Sequence, residues 1–183
     1  MIPFRLRREA ACMVMVDVQE RLLPAISGAE EIRRNTVKLA AAARALSVPF
    51  VYTEQYPRGL GPAVQTVREL LSEDCVREKI TFSCLGEPSI FESLRAAGRD
   101  TILVCGAEAH VCVCQTVHDC LAAGYRVHVA ADAVSSRAPE NRALALERMA
   151  RAGAVVTSTE MALFELLERA GTDEFRAVSK LVK

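Results

Sequence analysis

The sequence lacks an excess of charge of either sign: 23 Lys and Arg balance 23 Asp and Glu over 183 residues. Without a global field, nothing draws the chain to a nucleic-acid backbone or an anionic bilayer, so neither is expected as a partner. No apolar run approaches the ~18 residues of a membrane span. The basic start, from Met1 to Arg8, has no hydrophobic core of the kind a secretory signal carries. Seven cysteines, an odd number without framework spacing, argue against a secreted disulfide scaffold and suit a reducing compartment. A cytoplasmic protein is therefore expected, with the basic start leaving an organellar address open. Internal repeats, low-complexity tracts and linkers are also missing. What is present, 51% hydrophobic and 25% charged residues, suits one soluble globular domain over residues 1–183.

Five short, nearly continuous apolar runs read as buried parallel strands: residues 11–17, 49–53, 101–105, 126–130 and 154–157. Residues 77–82 form a weaker sixth. Helical patterns fill the gaps. Ser27 with Glu30, Ser89 with Glu92 and Thr157 with Glu160 have capping-box spacing. Pro139 suits a first helical turn, and Gly98, Gly124, Gly153 and Gly171 fall where helices should end. Alternating strands and helices imply an α/β fold, with helices on both faces of a parallel sheet. The longest irregular stretches, residues 53–62 and 72–89, lie near strand ends and are natural pocket walls.

Three residues stand out chemically. Cys112 follows an apolar run that breaks at Gly106 and turns into a helical pattern, which is where open α/β sheets place ligands. The positive end of that helix favours the thiolate. Taken alone, Cys112 reads better as a small buried thiol and Lys79 as a solvated surface cation, and Asp17 reads at least as well as a turn or helix cap. Together they form a coherent set, in which Cys112 attacks, Asp17 accepts its proton, and Lys79 holds the anionic species and orients Asp17.

Asp17 in D-V-Q, Lys79 in K-I-T-F-S and Cys112 in G-A-E-A-H-V-C-V resemble the Asp–Lys–Cys triad of the isochorismatase-like cysteine hydrolases. The segments T-E-Q-Y-P-R-G-L-G-P from Thr53 and H-V-A-A-D-A-V-S-S-R from His128 are similar to those of isochorismatase-domain-containing proteins. The resemblance implies a Rossmann-like three-layer α/β/α sandwich on a six-stranded, mainly parallel sheet, assembled as a homo-oligomer, a dimer or larger. It implies a non-proline cis peptide between Ala107 and Glu108, which aims the Glu108 N–H at an oxyanion, with the Cys112 N–H as second donor. Nicotinamidases of this family carry an Asp/His metal site after the second strand. Here that loop reads Glu54-Gln55-Tyr56 and holds none of the three histidines, so neither metal nor cofactor is expected. True isochorismatases act on a vinyl ether and lack the cysteine. The presence of Cys112 points instead to thioester chemistry on an amide-like C–N bond of a small molecule.

Glu54, Tyr56 and Phe82 are candidates for the substrate pocket, although both aromatic rings suit plain packing equally. Cys114 faces away from Cys112 on a helix, and with His118 it supplies only two metal ligands, so core packing is the better reading for it and for Cys120. His110 is read as structural. Two rivals stand beside the hydrolase. One is a catalytically silent interaction module on the same fold. The other is a thiol redox sensor, suggested by the seven cysteines.

Overall fold

All six apolar runs become strands of one sheet in the computed structural model, which describes residues 4–182. They are β1 Ala11–Val16, β2 Phe50–Gln55, β3 Val76–Lys79, β4 Thr101–Ala107, β5 Arg126–Ser135 and β6 Val155–Thr157. The start of the basic N-terminal segment, residues 1–3, lies outside the described residues. Strand order is β3-β2-β1-β4-β5-β6, and every pairing is parallel. The helices are α1 Ala29–Ala45, the single turns α2 Pro57–Leu60 and α3 Gln65–Arg68, α4 Pro88–Ala96, α5 Cys114–Ala122, α6 Pro139–Arg151, α7 Thr159–Leu167 and α8 Asp173–Ser179.

Alternation along β1 divides the core. Met13 and Met15 pack with Ile32 and Leu39 of α1, Leu163 of α7 and Val178 of α8. Cys12, Val14 and Val16 face the other way, onto Ile90 and Leu94 of α4, Val117 of α5 and Met149 of α6. All six residues of β1 are buried, which is why the strand reads as one unbroken apolar run. Each large aliphatic side chain removed from water contributes roughly 1.5–3 kcal/mol. The two helical layers are held on by these contacts.

The structure moves several boundaries, each for a local reason. β2 continues through Glu54 and Gln55, which pair with Glu78 and Lys79 of β3, so the strand ends two residues later than its polarity suggests. β3 stops at Lys79 because the Glu87 carboxylate takes the N–H groups of Ile80 and Thr81, which would otherwise continue the ladder. β5 runs on to Ser135 through a register shift opposite Val104–Gly106. The polar Asp132 is tolerated there because its carboxylate accepts the Thr159 N–H at 2.7 Å and the Thr159 hydroxyl at 2.9 Å. The caps shift by one residue or so. Gly28 rather than Ser27 precedes α1, Pro88 places Ser89 inside α4, and Ser158 rather than Thr157 accepts the Met161 N–H. Pro139 opens α6, and Gly98, Gly124 and Gly153 follow α4, α5 and α6. α7 ends instead on Glu168, with Gly171 beyond it.

His128 of β5 is buried, and its Nδ1 has no hydrogen-bond partner. Burial lowers its pKa from 6.5, with Arg126 adding to the effect and Glu165 opposing it. The unfolded chain therefore binds a proton that the folded chain refuses, and stability falls as pH drops through about 6.5. Thermal melts between pH 7.5 and 5.5 should show a decline that His128→Leu makes shallower.

Candidate active site

The strand order brings the carboxyl ends of β3, β2, β1 and β4 side by side, at the point where the chain's crossovers reverse direction. Lys79 ends β3, Thr53 and Gln55 lie at the end of β2, Asp17 follows β1, and the turn leading to Cys112 follows β4. Asp17 takes φ of +50°, a left-handed conformation that aspartate tolerates better than most residues. Its N–H donates to the Thr53 carbonyl at 3.1 Å, and its side chain is fully buried.

A buried carboxylate needs partners for both oxygens. The Thr53 hydroxyl donates to Oδ1 at 2.7 Å, and the Lys79 ammonium donates to Oδ2 at 2.7 Å. Lys79 is itself only 1% exposed, which sets aside the solvated reading. It also reaches Gln55 Oε1 at 2.6 Å and the carbonyls of Thr81 and Phe82 at 3.3 and 3.2 Å. An ammonium has three N–H groups, and these protein acceptors engage them all. Lys79 accordingly meets the Asp17 carboxylate directly, and its charge also acts on Cys112. Burial opposes its charge, but Asp17, Cys112 and Cys84 outweigh burial and raise its pKa. For Asp17 burial is the largest influence and raises the pKa, with Lys79, Thr53 and Cys112 pulling it back. Removing the cation leaves a buried charge unpaired, so Lys79→Met should cost about 3 kcal/mol in a denaturant titration.

The Cys112 side chain is 6% exposed and lies close enough to Asp17 for each to shift the other's titration. Burial, and after it the Asp17 carboxylate, push its pKa up to about 12. A resting thiolate is thus not what the helix end provides. Cys112 lies in one wide helical turn, Ala109–Val113, ahead of α5. The Glu108 carbonyl accepts from Val111 at 3.1 Å and from Val113 at 3.2 Å, passing over Cys112. The N–H groups at such a helix start are available as donors. The peptide between Ala107 and Glu108 is cis. The Glu108 carboxylate turns away to Arg137, accepting from its backbone N–H at 2.9 Å and its Nε at 3.2 Å.

The remaining candidates are distributed unevenly. Glu54 lies between Thr53 and Gln55, so alternation points it to the opposite strand face, where it accepts the Ala63 N–H at 2.7 Å. Tyr56 and Phe82 are about half exposed, on the segments following β2 and β3. The Phe82 carbonyl, rather than its ring, touches the triad. His110 Nδ1 lies 2.9 Å from the Ser136 hydroxyl. Cys114 and Cys120 pack in the core on the buried face of α5. Among the described residues, no group of three or more His, Cys, Asp or Glu is placed to hold a metal ion.

Thr53, Gln55, Gln19 and Cys84 were missed from sequence. The Gln19 amide grips the Gln55 backbone, accepting its N–H at 2.8 Å and donating to its carbonyl at 3.1 Å, and so fixes the residue that holds Lys79. Alternation about Glu54 was the available signal for Thr53 and Gln55. Cys84 carried none, because its place depends on a three-residue turn, Cys84–Gly86, docked on α5.

Comparison with known proteins shows the family and the fold. The isochorismatase domain family matches residues 11–161. A secreted isochorismatase effector of Phytophthora sojae is 40% identical, covering 98% of this chain and 87% of that protein. Isochorismatase domain-containing protein 2 of Danio rerio is 37% identical, over 97% of this chain and 89% of its own. Among solved structures, one described as the MAR1 ribonuclease of Caenorhabditis elegans superposes with TM-score 0.91 at 37% identity, covering 97% of this chain and 92% of that one. The YcaC gene product of Escherichia coli, described as an octameric hydrolase of unknown specificity, has TM-score 0.91 at 22% identity, over 97% and 88% of the two chains. The first of these relatives is secreted and another is described as a ribonuclease. Cysteine usage therefore does not fix the compartment, and balanced charge does not exclude nucleic acid. With its six-stranded parallel α/β fold, the chain belongs to the isochorismatase domain family.

Proposed function

We propose that the protein is a metal-independent cysteine hydrolase that opens a small amide-like C–N bond through a thioester on Cys112. The observation that carries this reading is the buried Asp17 carboxylate, held at 2.7 Å by both Lys79 and Thr53 and electrostatically coupled to the buried Cys112 thiol. As the sulfur attacks the carbonyl carbon, its proton passes to Asp17, whose basicity burial increases. The developing oxyanion is met by the N–H groups of Glu108 and Cys112. Collapse breaks the C–N bond and returns the proton to the leaving nitrogen. Water, deprotonated by Asp17, then releases the acid and restores the thiol. Lys79 stays protonated throughout.

Tyr56, Ile80 and Phe82, exposed on the segments that follow β2 and β3, supply an apolar rim for substrate and for a second copy of the chain. A homo-oligomer is accordingly part of the proposal, read out by light scattering on the eluting protein. To test the chemistry, the protein is incubated with a panel of short primary amides and substituted ureas, quenched in acid and weighed intact. An acyl adduct on Cys112, accompanied by ammonia or amine release and lost in Cys112→Ala, is expected. Turnover that persists in Cys112→Ala would overturn the reading. The C. elegans relative motivates one parallel arm with labelled RNA: cleavage of RNA without any acylation by amides would favour a nuclease instead.

A further inference from the structure

Asp17 alternates between ionised and protonated forms in the proposed cycle, yet its Oδ1 faces a single hydroxyl, that of Thr53, at 2.7 Å. A carboxylate needs a donor there. A newly formed carboxylic acid, if it carries its proton on Oδ1, needs an acceptor. A hydroxyl serves both by rotating, provided its own hydrogen then has somewhere to go. The Cys84 sulfur lies 3.9 Å from Thr53 Oγ1, within reach of a weak sulfur hydrogen bond, and both residues are fully buried. Cys84 is held there from two directions. Its N–H donates to the Thr116 hydroxyl of α5 at 2.9 Å, and the preceding Ser83 hydroxyl donates to Asp119 of α5 at 2.5 Å. The turn that carries this sulfur is thus bolted to the helix that follows the nucleophile.

We propose that Thr53 and Cys84 form a reversible hydrogen-bond relay behind Asp17, as positioning residues that support both of its protonation states. With Asp17 ionised, Cys84 S–H donates to Thr53 and Thr53 O–H donates to Oδ1. When the Cys112 proton arrives, the Asp17 O–H donates to Thr53 Oγ1, and the Thr53 hydrogen swings to the Cys84 sulfur. In this step the S–H bond of Cys112 breaks and the O–H bond of Asp17 forms, the freed sulfur electron pair bonding the carbon under attack. The Thr53 and Cys84 protons stay on their own atoms. Burial holds the Cys84 thiol at about 11, so it remains neutral and able to play either part. Lys79 from β3 and Cys112 from the turn after β4 also act on Asp17, and Tyr52, on the opposite face of β2, feels its charge. Burial raises the Tyr52 phenol well above 10, so it too stays neutral.

This inference rests on the acid–base pairing of Asp17 with Cys112, and the test separates the two. Cys112 is alkylated with iodoacetamide from pH 5 to 10 and quantified at its own peptide. A paired thiol and carboxylate give a rate plateau across neutral pH, because the sulfur's proton is handed to Asp17 rather than to solvent. Cys84→Ala removes the acceptor needed only by the protonated state and should lower that plateau about three- to tenfold. Cys84→Val, which fills the space without an acceptor, should do the same, whereas Cys84→Ser should remain close to wild type. In a Thr53→Val background Cys84→Ala should add nothing, while in Thr53→Ser it should retain its effect. Equal plateaus for Cys84→Ala, Cys84→Val and Cys84→Ser, or an undiminished Cys84→Ala effect without the Thr53 hydroxyl, would overturn the relay while leaving the Asp17–Cys112 pairing intact. A wild-type profile with no plateau would remove the pairing, and the relay with it.

Discussion

Asp17→Asn should lose about a thousandfold in the hydrolysis of whichever amide acylates Cys112, measured as steady-state release of amine. Asparagine keeps the shape of the side chain; its carbonyl can accept from Lys79 while its NH2 donates to the Thr53 hydroxyl, so the fold should survive. It cannot take a proton from sulfur, return one to the leaving nitrogen, or activate water. All three steps of the proposed cycle pass through one carboxylate, which is why the expected loss is large. The substitution also leaves the Lys79 ammonium facing a neutral amide. Without the carboxylate that helps hold it near 12, the Cys112 thiol is drawn down by that cation. Some thiolate therefore forms at high pH, and covalent labelling persists there while turnover does not. A loss of labelling and turnover in parallel would instead indicate a collapsed site.

The second large effect is structural. Gly106 has φ of +112°, and it is the residue of β4 paired with Val16, one step before Asp17. A β-carbon on Gly106 would fall on the Val16 carbonyl oxygen, within 2.6 Å of the Val16 nitrogen and 2.7 Å of its carbonyl carbon. Those atoms are backbone in the central strand of the sheet, so no side chain can move aside. Gly106→Ala combines this clash with a backbone conformation that L-residues rarely adopt, and should destabilise by about 4 kcal/mol or more. The same displacement would push β4 away from β1, where Asp17 meets Cys112. Any folded fraction recovered at low temperature should therefore also hydrolyse poorly. A melting temperature within a degree or two of wild type would show that the β1–β4 approach is looser than described.

Much of this arrangement was legible before the structure. The strands announced themselves because burial on both faces makes them apolar throughout, and β1 and β4 are the clearest cases. The five residues of β5 beyond Ala130 were not legible. They depend on Asp132 being satisfied by Thr159, a partner 27 positions away. Asp17, Lys79 and Cys112 could be nominated from their local contexts, but their electrostatics could not. The helix end favours a thiolate in isolation, whereas the folded site buries the sulfur and sets a carboxylate against it, and those two influences prevail. Likewise a lone lysine reads as solvated. The acceptors that bury Lys79 come from β1, β2 and the turn after β3, and no spacing rule gathers them. The two-residue period of a strand places Thr53 and Gln55, not Glu54, on the face that meets Asp17 and Lys79.

The central claim is that Asp17 takes the proton of Cys112, and the pH profile of Cys112 alkylation by iodoacetamide tests it most directly, with wild type and Asp17→Asn compared by peptide mass. Wild type should label selectively at Cys112 below pH 7 and hold a nearly constant rate through neutrality, falling only where Asp17 itself protonates. Asp17→Asn should lose that plateau and follow the titration of a single thiol, rising tenfold per pH unit up to its pKa. A wild-type rate that climbs tenfold per unit from pH 6 to 9, unchanged by Asp17→Asn, would mark Cys112 as an ordinary buried thiol and contradict the account.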